Sequence, residues 1–242
     1  MLPVAILAGG LATRLRPVTE RIPKALIEIA GEPFIFHQLR YLRDQGIGRV
    51  VLCVGYLGER IRDVVADGAR FGLEVVYSFD GPVLLGTGGA LRQAFPLLGD
   101  RWFVLYGDSY LPVAFPPIQQ AFLASAQPAL MTVLHNRDRW DRSNVIFRDG
   151  RIVAYDKRPR PQGAEHIDYG LGLLSRDAIA GEPADAPFDL ADVYRRLARE
   201  GRLAGFEVTQ RFYEIGSFDG MRETETYLLE RGNLELRNPT PE

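Results

Sequence analysis

The sequence predicts an α/β fold: a mostly parallel central sheet with helices on both faces, followed by a β-rich second half. Two observations carry this reading. In the first half, short apolar runs alternate with stretches at helical spacing, the pattern of βαβ units. These runs are apolar at nearly every position, as strands covered on both faces are. After about residue 128 the pattern changes to β segments separated by turns.

The elements follow in order. Val4 to Ala8 reads as a buried strand. Pro33 to Gly46 reads as a helix, with Phe34, Phe36, Leu39, Tyr41 and Leu42 mostly at helical spacing. Val50 to Val54 is a second strand, Gly58 to Gly68 a helix and Leu73 to Tyr77 a strand. Gly88 to Leu98 reads as one helix and Trp102 to Tyr106 as a strand. Ala129 to His135, Ser143 to Phe147, Arg151 to Tyr155 and Ile167 to Leu174 look like β segments. Arg148-Asp149-Gly150 is a hairpin turn signal between two of them. Leu190 to Glu200 reads as a helix with Asp189 as its N-cap, and Phe218 to Arg231 as the last helix. The simplest organisation is one domain over residues 1–242: a first half (1–127), a β-rich half (128–231) that closes the site, and a loosely ordered tail (232–242). In such sheets ligands bind at the carboxyl ends of strands.

Bulk properties narrow the function. Of the 242 residues, 46% are hydrophobic and 25% charged, enough for a sizeable core without disulfides. A formal net charge of −2 provides no global field for holding nucleic acid. The one cysteine, Cys53, sits in an apolar run and reads as a small core residue. No run approaches the ~20 apolar residues of a membrane span. Met1-Leu2-Pro3 lacks the basic lead of a secretory signal, so the expected location is cytoplasmic. A homo-oligomer is compatible with all of this.

Two glycine-rich stretches follow strands. Leu7-Ala8-Gly9-Gly10 leads into Arg14, and Pro23-Lys24 comes ten residues later. The glycines allow a tight turn and bring backbone N–H groups to an anion. Arg14 is a planar bidentate phosphate donor and Lys24 a point charge suited to phosphate. The spacing is neither the Rossmann fingerprint nor the lysine-bearing P-loop. In the second stretch, Gly86, Gly88 and Gly89 around Thr87 permit close backbone approach to a flat ligand. Asp108 ends an apolar strand, where a carboxylate is either a solvated boundary or a ligand for a hard cation. His37, His135 and His166 are scattered, unlike any metal-ligand spacing. The tract from Asn136 to Arg142 reads as a solvated loop.

Leu7 to Pro17, Thr19, Pro23-Lys24 and Gly31-Glu32-Pro33 together resemble the signature of the sugar-1-phosphate nucleotidylyltransferases. Ala12 stands where that signature has a glycine. The resemblance runs to about residue 230 and implies a Rossmann-like nucleotidyltransferase fold. It further implies that Leu7, Ala8, Gly9, Gly10, Gly86, Thr87, Gly88 and Gly89 bind the nucleotide. Arg14, Lys24 and Asp108 become the catalytic residues, and Mg²⁺ is held by Asp108 and Glu214. Phe212-Tyr213-Glu214-Ile215-Gly216-Ser217 looks like a family element whose acid is normally an aspartate. Asp156-Lys157-Arg158-Pro159 resembles the family's Glu-Lys-Pro element, so Asp156 implies a hydroxyl contact and Lys157 a contact to the sugar phosphate. Asn144, Tyr169 and Gly170 look like other sugar contacts.

The implied partners are an NTP and a sugar 1-phosphate, with no nucleic acid and no membrane. The overall look is most like bacterial heptose-1-phosphate guanylyltransferases, with uridylyltransferases acting on hexose or amino-sugar phosphates close behind. A glycosyltransferase of related fold would carry Asp-x-Asp where this chain has Asp108-Ser109-Tyr110. A binding protein that kept only the fold would have lost phosphate or metal residues, and these are present.

Overall fold

The computed structural model describes residues 1–10, 15, 22–182 and 186–237, with side chains to residue 232. The elements of the first half are β1 (Val4–Leu7), a short hairpin of β2 (Glu28–Ile29) and β3 (Glu32–Pro33), α1 (Phe34–Asp44), β4 (Arg49–Val54), α2 (Gly58–Val65), β5 (Glu74–Phe79), α3 (Gly86–Gln93), α4 (Phe95–Leu98), β6 (Arg101–Tyr106), β7 (Ser109–Tyr110) and α5 (Phe115–Ser125). The second half holds β8 (Ala129–His135), β9 (Val145–Arg148), β10 (Arg151–Tyr155), β11 (His166–Ser175), α6 (Arg176–Ile179), α7 (Leu190–Arg199), β12 (Leu203–Val208), β13 (Tyr213–Glu214) and α8 (Phe218–Arg237).

Nine strands form one sheet in the order β5-β4-β1-β6-β11-β8-β12-β10-β9. The α/β class holds. β5, β4, β1 and β6 are mutually parallel. β11 then enters antiparallel between β6 and β8, so the sheet as a whole is mixed. Because β11 reverses the direction twice, β8 and its parallel neighbour β12 run the same way as β6. The carboxyl ends of β1, β5, β6, β8 and β12 therefore share one edge with the amino end of β11.

Alternate residues of each central strand go to opposite faces. Val4, Ile6, Leu52, Phe103 and Leu105 pack with Ile35 and Leu39 of α1 and with Ile118 and Phe122 of α5. Ala5, Val51, Cys53, Trp102 and Val104 pack with Leu91 of α3 and with Val193 and Leu197 of α7. Each such large side chain contributes about 1.5–3 kcal/mol by leaving water. This double burial explains why the strands read as unbroken apolar runs. A third, smaller cluster joins Ile27, Ile29, Phe34, Tyr110 and Ile215, and it seats the β2–β3 hairpin against the β7–β13 ribbon.

Several boundaries differ from the sequence reading. The helix read over Gly88 to Leu98 is two helices, α3 and α4. α5 and β12 were not anticipated. Prolines at the start of α5 conceal it, although a first turn tolerates proline because its N–H groups are unpaired there in any case. α8 continues through Gly232 to Arg237, where the reading placed a loose tail. Residues 238–242 lie outside the described residues.

Candidate active site

The shared edge of the sheet carries a cleft of about 260 Å³. Its floor is the turn after β1. Ala8 N–H donates to Cys53 O (2.8 Å), and Gly107 N–H donates to Leu7 O (2.9 Å), tying the ends of β1, β4 and β6 together. Leu7, Ala8, Gly9 and Gly10 line the cleft as expected. A Cβ on Gly9 would press on Gly55 N at 3.0 Å, whereas one on Gly10 would meet nothing within 4 Å among the described residues. Arg14, Ala12 and the rest of 11–14 lie outside the described residues.

Lys24 opens a 3₁₀ turn, Lys24–Leu26, whose Ala25 is buried and thereby anchored in the core. Its Nζ reaches Asp108 Oδ2 at 2.9 Å. Asp108 lies just beyond β6, and Ile215 N–H donates to Asp108 O (2.9 Å). β13 pairs antiparallel with β7, placing Glu214 opposite Ser109. The two carboxylates singled out from distant parts of the chain thus sit on one two-stranded ribbon. Among the described residues, no group of three or more His, Cys, Asp or Glu could hold a metal alone. The donor chemistry nevertheless fits a hard cation. Two carboxylates would supply oxygen ligands, Asp108 already pairs with the Lys24 ammonium, and Mg²⁺ usually completes its shell from substrate phosphate and water.

The second glycine stretch departs from expectation. Gly86 and Thr87 line the cleft, but Gly88 and Gly89 do not. A Cβ on Gly88 would overlap the Phe188 ring, and one on Gly86 would meet Phe188 O at 2.6 Å. Gly88 thus makes room for the Phe188 ring, while Gly86 lies against the Phe188 carbonyl and also lines the cleft. Phe188 O accepts the N–H groups of Gly88 (2.9 Å) and Gly89 (3.2 Å). Asp189 is not a side-chain cap for α7. Its Oδ1 instead accepts Thr87 Oγ1–H at 3.3 Å and Thr87 N–H at 3.4 Å.

Residues expected at the sugar meet beside the amino end of β11. Asn144 Oδ1 accepts Asp168 N–H (2.9 Å), and Asp156 N–H donates to Asn144 O (3.2 Å). Asp156 Oδ2 lies 3.4 Å from Arg195. Lys157 Nζ stands 5.6 Å above the ring of Tyr106. A Cβ on Gly170, at φ 92°, would find Tyr106 (3.8 Å) and Ser109 (3.9 Å) nearest to it. Tyr169 is different: its side chain is 1% exposed and packs edge-on against Phe212, so it belongs to the core. Asp168, one residue earlier, is the polar group here. Its oxygens accept Gly170 N–H (3.0 Å) and Tyr155 Oη–H (3.3 Å). Burial raises its carboxyl pKa, opposed by the Lys157 charge.

Asp80 and Tyr106 were also missed. Asp80 follows β5 at the same edge and lines the cleft, where Leu85 N–H reaches its Oδ2 at 3.3 Å. Burial raises its pKa, and that N–H opposes the rise. A carboxylate just beyond a buried strand, one residue past β5 here and two past β6 at Asp108, was the available signal. Burial pushes the Tyr106 hydroxyl well up, reinforced by Asp168, Asp108 and Asp189 around it. The tract 136–142 is a solvated turn, exposed from Arg137 to Arg142 and pinned at its ends by buried Asn136 and Ser143, with Asn136 Nδ2 donating to Asp141 O (2.6 Å).

A lysine ammonium on a strand-end carboxylate, beside a glycine turn at the carboxyl edge of the parallel strands β5, β4, β1 and β6, suits a phosphate-handling enzyme. The sequence profile of the nucleotidyl transferase family matches residues 4–144, and the chain belongs to that family. It is an enzyme of the sugar-1-phosphate nucleotidyltransferase group. It is 30% identical to an N-acetylmuramate α-1-phosphate uridylyltransferase of Neisseria meningitidis over 91% of this chain and 95% of that one. It is 32% identical to a D-glycero-α-D-manno-heptose 1-phosphate guanylyltransferase of Campylobacter jejuni, over 71% of this chain and 75% of the relative. HddC from Yersinia pseudotuberculosis, solved with GMP-PN, superposes with a TM-score of 0.80 at 27% identity, covering 94% of this chain and all of HddC. Among the described residues no helix is long and apolar enough to cross a membrane.

Proposed function

We propose that this chain transfers GMP from GTP to a heptose 1-phosphate, giving a GDP-heptose and pyrophosphate. Asp80 carries the choice of base. Its carboxylate, half-buried in the cleft wall, can only accept hydrogen bonds when ionised. Guanine offers two adjacent N–H donors along one edge, N1–H and the N2 amino group. Uracil offers one N–H flanked by two carbonyl oxygens, which a carboxylate repels. The Campylobacter relative and HddC support the same direction. A second reading, UTP with an amino-sugar or hexose 1-phosphate, draws on the Neisseria relative's longer match.

In this reading an oxygen of the sugar 1-phosphate attacks the α-phosphorus. A new P–O bond forms as the bond to the bridging oxygen breaks, and pyrophosphate leaves with that electron pair. A phosphate monoester has its second pKa near ~6, so the nucleophile is already ionised at neutral pH and needs no protein base. The work left to the protein is to position two anions and neutralise their charge. Lys24 lies over the α-phosphate, Arg14 holds the β- and γ-phosphates, and Lys157 holds the attacking phosphate. Asn144, Asp156 and the Gly170 backbone contact the sugar. Members of the family generally work with a divalent metal, and Mg²⁺ held by Asp108 and Glu214 would add charge neutralisation at the phosphates. The reaction belongs in the cytoplasm, and its product suits cell-surface polysaccharide assembly.

The test is pyrophosphate release from each NTP against a panel of sugar 1-phosphates. GTP with a heptose 1-phosphate should give the highest kcat/KM, and Asp80→Asn should narrow the preference for GTP over UTP. Fastest turnover with UTP, unchanged by Asp80→Asn, would replace this reading with the second one.

A further inference from the structure

The residues before α7 belong to the second half of the chain, yet they build a wall of the cleft in the first. Phe188 is bound at three points: its N–H donates to Leu85 O (3.1 Å), and its carbonyl accepts the Gly88 and Gly89 amides. Leu190 N–H donates to Thr87 Oγ1 at 2.8 Å, so Thr87 rather than Asp189 satisfies the first amide of α7. This frees the Asp189 side chain to turn toward Thr87. Its Oδ1 then takes both the Thr87 hydroxyl (3.3 Å) and amide (3.4 Å). The other oxygen, Oδ2, has no partner among the described residues, and Asp189 shares the cleft with Lys24, Asp108 and Tyr106.

We propose that Asp189, clamped through Thr87, accepts a hydrogen bond from a ring hydroxyl of a bound substrate. The proposal rests on the reading of this cleft as the site for nucleotide and sugar phosphate. A fixed carboxylate repels phosphate oxygens and selects hydroxyl donors, forming the stronger, charge-assisted kind of hydrogen bond. The clamp matters because an acceptor ordered before binding loses little freedom on engaging its donor. Two bound groups carry such hydroxyls, the ribose of the NTP and the sugar of the sugar 1-phosphate. The chemistry is the same for both.

The experiment compares wild type, Asp189→Ala and Asp189→Asn. Calorimetry measures affinity for GTP (and for the NTP with fastest turnover, if different) against the 2′-deoxy and 3′-deoxy forms. Steady-state kinetics compares the preferred sugar 1-phosphate with its monodeoxy analogues. Wild type should lose roughly ten- to hundredfold with one of these analogues. In Asp189→Ala that same analogue should match its parent within about twofold, because the acceptor is gone. Loss of discrimination in the NTP series assigns the ribose, and in the sugar series the sugar. Should Asp189→Ala fail to fold, Asp189→Asn serves, since its carbonyl can still accept from Thr87 while Oδ2 is replaced by a donor. Undiminished discrimination in the folded variants, or no discrimination in wild type, would overturn the proposal. Wild type that binds no NTP at all would instead sink the reading of the cleft, which no Asp189 variant could do.

Discussion

Lys24 Nζ and Asp108 Oδ2 are 2.9 Å apart, joining a turn near the amino terminus to the end of β6. In the proposed reading the ammonium lies where phosphate charge and a carboxylate meet. With Lys24 acting mainly as the α-phosphorus becomes crowded and negative, Lys24→Ala should lower kcat more than it raises KM for the NTP. Loss of one such donor typically costs on the order of 10²–10³-fold. Steady-state kinetics checks this, and a normal kcat with only a raised KM would demote Lys24 to ground-state binding.

Asp108 and Glu214 share a ribbon, and turnover should stop in excess EDTA and return with added Mg²⁺. Asp108→Asn should lose more activity than Glu214→Gln, because Glu214 stands where the family element has an aspartate. The reverse order would mean that Glu214 is the principal ligand.

Gly88 has no room for a side chain beneath Phe188. Gly88→Ala should cost about 1–3 kcal/mol through overpacking, or roughly 2–4 °C of Tm for each kcal/mol in a chain of this size. It should also raise KM for the NTP by displacing Thr87. Gly10→Ala, whose Cβ would meet nothing within 4 Å among the described residues, should leave Tm nearly unchanged. Thermal denaturation of the two variants side by side decides the point, and equal Tm values would contradict the Phe188 packing.

Lys157 stands over Tyr106, a residue of the cleft wall, and is proposed to hold the sugar phosphate. Replacing it with Ala removes a charge-assisted contact of roughly 1.5–3 kcal/mol, or about one to two decades in affinity. Calorimetry under non-turnover conditions should show weak binding of sugar 1-phosphate and nearly unchanged binding of NTP. A collapse of NTP affinity alone would reverse the roles assigned to the two halves.

Cys53 is buried between strands, and burial pushes its thiol from 9.0 up to about 12. In the unfolded chain the thiol ionises near its ordinary value, so between those two pH values the unfolded state binds fewer protons. The contribution of Cys53 to stability should then be level below about pH 8 and fall as pH rises beyond it. Urea melts between about pH 8 and 10, below the ordinary range of the tyrosines, should show this decline, and Cys53→Ala should lessen it. A thiol reagent that labels the native protein as fast as the unfolded chain would show that Cys53 is not buried.

The sequence by itself determined β1, β4, β5 and β6, because strands buried on both faces must be apolar throughout, and that signal is local. It also marked Lys24, Asp108 and the glycine turn, because phosphate chemistry needs those residue types near strand ends. It could not show that Asp108 and Glu214 share a ribbon, since pairing depends on β13 returning to β7 across most of the second half. Nor could it separate glycines that face the cleft from Gly88, which makes room for Phe188. Asp189 looked like a helix cap, and only the approach of Thr87 from another part of the chain turned its carboxylate aside. Tyr169 and Asp168 are neighbours in sequence, but the alternation of β11 sends the tyrosine into the core and leaves the aspartate with the polar groups beside Lys157. Local composition sets which segments become strands. Which side chains then meet is decided by contacts between segments far apart in the chain.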